Sequence, residues 1–156
     1  MAFWLTVHYP HPNADPDRHP WHVYLQEQFE DIARRFREGH RVMFYETLTH
    51  PRQRGVEPRT GSQGIVRVGT VSGPYAPRPP HLAIAEYEDG GVKNWRWGIP
   101  TKDVQRGFVA RPQVLEQLGM GENGYLRGFG ERHSGVREIG AAIFNALVQR
   151  GGPWRI

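Results

Sequence analysis

The sequence contains no cysteine, which excludes disulfide scaffolds, thiol catalysis and cysteine-ligated zinc. Lysine is almost missing as well. Lys93 and Lys102 are the only two, so arginine supplies the rest of the 20 cationic side chains. No apolar run approaches the roughly 18 residues that a membrane-spanning helix needs, so no membrane partner is expected. The opening stretch, Met1 to His8, has neither a basic start nor a long apolar core, which argues against a secretory leader and makes the cytoplasm the expected compartment.

Catalytic signatures are equally scarce. There is no P-loop and no G-x-S-x-G elbow. Gly128-Phe129-Gly130 begins a dinucleotide fingerprint, but His133 occupies the third glycine position. Glu86, Glu88, Asp89 and Lys93 resemble a nuclease cluster, yet they straddle a turn and read more simply as a solvated strand edge. His8, His11, His19 and His22 form two H-x-x-H pairs at a zinc-compatible spacing. They sit beside prolines without supporting carboxylates, so no metal or other cofactor is expected. His133-Ser134 lacks an acid partner and does not make a triad.

What remains is a chain of 156 residues, 38% hydrophobic and 12% aromatic, with a formal charge of +4. That length suits one domain over residues 1–156. Arginine makes planar, bidentate contacts with phosphate and stacks on rings, which lysine does less well. A GC-rich coding sequence would also raise arginine, glycine and proline. Even so, nucleic acid is the leading partner class.

Phe3–His8 reads as a strand, and the four prolines between Tyr9 and Pro20 require a loop. Val23, Phe29, Ile32, Ala33 and Phe36 recur at helical spacing, predicting a helix over Trp21–Glu38 that Gly39 ends. Strands are predicted at Arg41–Leu48, Ile65–Val71, Leu82–Glu88 and Val92–Ile99, the last two joined by a turn at Asp89-Gly90-Gly91. His50–Gly64 reads as an exposed loop. Beyond Pro100 the pattern blurs, with a short helix at Pro112–Leu118 and a last strand at Tyr125–Phe129. Val136–Gln149 reads as the second main helix. The fold class is therefore α+β: five or six short strands in a bent sheet or barrel, flanked by two main helices.

Tryptophan is the anomaly. Trp21 follows the proline-rich loop, and Trp95 and Trp97 stand two apart in one predicted strand. Residues i and i+2 of a strand share a face, so these two form an aromatic strip with Arg96 pointing away. Such strips pack cores, and they also sandwich unstacked bases.

Several segments together resemble the EVE domain, a PUA-like relative of YTH and ASCH domains. Gly39-His40-Arg41-Val42-Met43-Phe44-Tyr45 is similar to that family's G-D-x-V-L-F-Y-H strand, and Gly64-Ile65-Val66-Arg67-Val68-Gly69 to its G-I-V-G-x-G strand. Phe3-Trp4-Leu5, Trp21 and Ser72-Gly73-Pro74-Tyr75 occur in the matching order. Leu126-Arg127-Gly128-Phe129 and Ser134-Gly135-Val136-Arg137 fall near the family's arginine-serine strand. The resemblance spans about residues 3 to 149. Two pocket segments differ: His8-Tyr9-Pro10 replaces S-E-P, and Tyr24-Leu25-Gln26-Glu27-Gln28 replaces R-N-Y-Q-x-R-N.

The resemblance implies a PUA-like pseudobarrel that accepts a modified base, of the 5-methylcytosine or N6-methyladenine type, by flipping and without catalysis. Trp21, Tyr45, Trp95 and Trp97 are the expected cage walls. Arg96, Arg127, Arg132 and Arg137 are the expected backbone contacts, and Ser134 a polar contact to base or backbone. DNA stands ahead of RNA as the partner, with a separate nuclease or restriction component as a further one. Two alternatives stay open: a hydrolase of a nucleotide-like substrate, with Glu46 or Glu86 as its acid or base, and a protein-interaction module.

Overall fold

A computed structural model describes residues 1–8, 21–48, 60–77, 96–122, 124, 126 and 129–156. Three of the apolar runs form strands as expected: β1 (Phe3–His8), β3 (Arg41–Glu46) and β4 (Gly64–Val71). Their β-branched and aromatic residues suit a pleated surface covered on both sides.

The predicted helix over Trp21–Glu38 is mostly something else. Val23–Leu25 is a short strand, β2, followed by a 3-10 turn at Glu27–Phe29 and one helical turn, α1 (Glu30–Ala33). Val23 and Leu25 are buried while Tyr24 is half-buried, the period-two pattern of a strand. Cross-strand pairing with β6 (Trp97–Ile99) overrides the helical spacing of the apolar residues further on. A two-residue strand, β5 (Ala76–Pro77), completes this second sheet.

After Pro100 lies the longest strand among the described residues, β7 (Thr101–Ala110). It leads into α2 (Arg111–Gln117), the short helix expected at Pro112–Leu118, with a proline in its first turn. The second main helix begins later than predicted: Val136–Ile139 is a strand, β8, and only Ala141–Arg150 is helical, as α3. Leu126 and Phe129 are not in a strand, contrary to the expected strand over 125–129. The predicted strand at Leu82–Glu88 and the turn at Asp89-Gly90-Gly91 lie outside the described residues.

The larger sheet has the order β7-β4-β3-β1-β8, with β1 and β3 parallel and the other pairs antiparallel. The smaller sheet has the order β2-β6-β5. The architecture is α+β, with two sheets and the helices α2 and α3 packed on the larger one.

Alternation along the strands divides the core in two. Leu5, Met43, Tyr45, Ile65 and Val68 face α2 and α3, meeting Val114, Leu115, Phe144 and Leu147. Trp4, Val42 and Phe44 face the other way, against Val23, Leu25 and Ile99 of the smaller sheet and Phe29 and Ile32. A large buried apolar side chain contributes about 1.5–3 kcal/mol, so both layers matter to stability. The second layer, between the two sheets, positions the candidate site.

Candidate nucleic-acid interface

One irregularity in β4 builds the site. Tyr45 pairs with Ile65 and Phe44 with Arg67, so Val66 is the extra residue of a β-bulge. Without it, Arg67 would share the face of Ile65 and point into the α2–α3 core. The bulge re-aims Arg67 to the opposite face, a recurrent use of bulges. There its guanidinium lies 4.6 Å from the centroid of the Trp21 ring. Phe44 and His8 meet the same ring edge-on, at 5.6 Å and 5.4 Å. The Trp21 carbonyl accepts a hydrogen bond from the Thr101 hydroxyl, which fixes the backbone at the entry to β2. A guanidinium on an indole is worth about 0.5–1 kcal/mol when exposed and more when desolvated.

Strand register then adds arginines that are remote in sequence. Arg67 is opposite Arg106 of β7, and Arg106 is opposite Arg155 across an isolated bridge. The bridge is a reciprocal backbone pair, at 2.7 and 2.9 Å. Directly paired residues project from one face, so the three arginines form a row at roughly 4.8 Å per strand, beginning beside Trp21. The Arg67 guanidinium also donates to the Val66 carbonyl at 2.9 Å.

At the ends of β1 and β3, His8 and Glu46 are in register. Glu46 is only 4% exposed, and its Oε1 accepts the Ser62 backbone N–H at 2.8 Å. Among the described residues no three histidine or acidic side chains group as metal ligands. His11 and His19 lie outside those residues.

The expected site residues separate. Tyr45 is 2% exposed and packs in the α2–α3 core, on the opposite face of the sheet from Trp21. It is in the core because β3 alternates and Phe44 takes the side facing the smaller sheet. Burial pushes its phenol up to about 12, so it stays neutral. Trp97 borders the same core layer as Trp21 but is opposite Leu25, four residues further along the ribbon. The two backbones are therefore about 13 Å apart, whereas rings sandwiching a base stand roughly 7–8 Å apart. Trp97 has its own neighbours: its indole N–H donates to the Glu27 carbonyl, the Tyr75 ring is edge-on at 5.4 Å, and Arg96 lies 5.6 Å from its centroid. Trp95 and Arg127 lie outside the described residues. The expected four-walled cage of Trp21, Tyr45, Trp95 and Trp97 is not assembled by the described residues.

The remaining polar residues sit on the far edge of the sheet. Ser134 is buried, and its hydroxyl is engaged with the backbone of Val136. Arg132 pairs with Asp31 and covers the Phe29 ring, and this hydrogen bond holds the Asp31 carboxyl below the usual carboxylate range. Arg137 lines an open groove of about 780 Å³ together with Arg35, Met120 and Phe129. Arg35 is itself pinned by Glu131 at 2.7 Å and Glu138 at 2.9 Å. Sequence reading missed Arg67, Arg106 and Arg155 as a group. Their only sequence-level signal is an arginine inside an apolar strand; register and the bulge bring them together.

No family model and no curated protein matches this sequence. Solved structures do match in fold. Human THYN1, in complex with DNA containing 5-methylcytosine, has a TM-score of 0.54 at 14% identity, covering 96% of each chain. A hypothetical protein from Leishmania major has a TM-score of 0.52 at 20% identity, over 96% of this chain and 93% of its own. Rpa0253 from Rhodopseudomonas palustris has a TM-score of 0.52 at 13% identity, over 96% and 92%. This likeness is one of fold, and it extends over almost the whole chain.

Proposed function

We propose that the chain is a single EVE-type module that binds DNA and holds one modified base, of the 5-methylcytosine type, out of the stack. The observation that carries this reading is Arg67 lying on the Trp21 ring at the head of an arginine row. An extruded base stacks on the Trp21–Arg67 pair, since guanidinium planes accept bases as aromatic rings do. The adjoining phosphates lie along Arg67, Arg106 and Arg155, whose guanidinium groups donate to phosphate oxygens. Trp97 and Arg96 give a second ring and cation about 13 Å away along the ribbon, where a neighbouring nucleotide would pass.

Flipping costs a few kcal/mol and stacking recovers about 1–3 kcal/mol per base. Binding therefore depends on the phosphate row, and preference for a methyl group is modest, about 1–3 kcal/mol at most. The complex of human THYN1 with 5-methylcytosine DNA supports this choice of ligand. In this reading the module has no catalysis of its own and works in the cytoplasm beside a separate nuclease. Fluorescence anisotropy with 5-methylcytosine, N6-methyladenine and unmodified oligonucleotides tests it. A several-fold preference for the 5-methylcytosine strand, lost in Trp21→Ala, is the expected result. Equal binding of all strands would leave only a basic surface.

A further inference from the structure

We infer that Glu46 reads the exocyclic amino group of the captured base, so that the site selects 5-methylcytosine over thymine. This rests on the reading of the Trp21 end as the base site and adds the base edge that is recognised.

Glu46 is an unusual residue to bury. At 4% exposure it is out of reach of ordinary solvation, and a carboxylate in that position needs hydrogen-bond donors. The protein supplies one. The Ser62 backbone N–H reaches Oε1 at 2.8 Å, and among the described residues no other group bonds or pairs with this carboxylate. Oε2 keeps its full accepting capacity.

The carboxylate is held in place. Gly61 lets the chain close over it: a Cβ there would strike the Thr47 carbonyl and stand 3.0 Å from Glu46 Cγ. The Gly61 N–H is tied to the Leu48 carbonyl at 2.7 Å, which fixes the turn that delivers the Ser62 donor.

Its position places it at the edge of the stacking site. Glu46 and Phe44 are two apart on β3 and share a face, with Cα atoms about 7 Å apart. His8 is in register with Glu46 across β1. Both Phe44 and His8 touch the Trp21 ring. In the proposal, a base stacked on Trp21–Arg67 presents its edge on the face of the sheet that carries Glu46.

The chemistry of that edge distinguishes two bases of the same shape. 5-Methylcytosine and thymine carry the same methyl group, but position 4 is an amino donor in one and a carbonyl acceptor in the other. An ionised carboxylate only accepts. It takes a charge-assisted bond from the amino group and meets the thymine carbonyl with two acceptors face to face. A site built around a buried polar group rejects the analogue that leaves it unpaired.

The test uses the full chain and short single-stranded DNA with one variable position: cytosine, 5-methylcytosine, thymine or 5-methyl-2-pyrimidinone, which has the methyl but no amino group. The wild-type protein is expected to bind the 5-methylcytosine strand about tenfold or more tightly than the thymine and pyrimidinone strands. Glu46→Gln can turn its amide to suit either base, so its 5-methylcytosine-to-thymine ratio should fall to within about threefold. Its 5-methylcytosine-to-cytosine ratio should not change. Wild-type binding that ignores the amino group, or a ratio that survives Glu46→Gln, overturns the inference. The wild-type comparison stands even if the variant fails to fold. Loss of methyl preference with amino preference intact would overturn the modified-base reading instead, and absence of any DNA binding would overturn both.

Discussion

Two regions of this molecule are rich in arginine, and they are built differently. Along β8 and α1, Arg35 is pinned by Glu131 and Glu138, and Arg132 by Asp31. Along β4 and β7, Arg67 is opposite Arg106 and Arg106 opposite Arg155, with Arg67 laid on Trp21. The first arrangement satisfies its cations internally and ties helix to sheet. The second sets arginines side by side across strands next to an aromatic ring, with Arg67 also donating to the Val66 carbonyl at 2.9 Å. The number of arginines does not locate an interface; what stands next to each one does.

That contrast can be tested in order of expected effect. Trp21→Ala should weaken the preferred strand most, by about tenfold to a hundredfold, the worth of one stacked base. Because the ring is half-buried at the margin of its core layer, circular dichroism should show the fold retained. Arg67→Ala or Arg106→Ala should weaken every oligonucleotide several-fold and lower the slope of log affinity against log salt by about one, read from titrations at several salt concentrations. Tyr45→Phe should leave binding unchanged and show its effect in alkaline stability instead. The wild-type phenol has its pKa raised from 10.0 to about 12, so the folded state retains a proton that the unfolded chain releases. Stability should therefore be full below pH 10 and fall as pH rises through about 12, by roughly 3 kcal/mol, in denaturant melts. In Tyr45→Phe that loss should disappear. Arg132→Ala should have the smallest effect of all, with affinity within about twofold of wild type, because this exposed pair is a surface contact. A large effect there would reverse the comparison.

The legible parts of the fold are those in which local pattern and burial agree. β1, β3 and β4 are apolar runs, and the layer between the sheets and the α2–α3 layer cover both their faces. β7 escapes sequence reading because most of its ten residues are exposed or half-buried at the sheet edge, so no apolar alternation marks it. Val23–Leu25 and Val136–Ile139 are read as helix because the apolar residues that follow them repeat at helical spacing. Pairing with β6 and with β1 decides otherwise.

The candidate site was legible in one residue and obscured in its neighbours. Trp21 stands out as an aromatic residue where none is needed. Tyr45, in the same strand that carries the best family resemblance, belongs to the core because Phe44 occupies the other face. Arg67 is two residues from Ile65, and simple alternation would put both on one side; only the bulge at Val66 separates them. Arg106 and Arg155 are 49 positions apart, and backbone pairing alone makes them neighbours.

The most direct measurement is anisotropy of one 5-methylcytosine strand against wild type, Trp21→Ala and the double variant Arg132→Ala/Arg137→Ala, under identical salt. Trp21→Ala is expected to weaken binding of this strand by about tenfold or more, with the double variant staying close to wild type. Binding that survives Trp21→Ala but disappears with Arg132 and Arg137 would move the interface to the β8 edge and contradict the account.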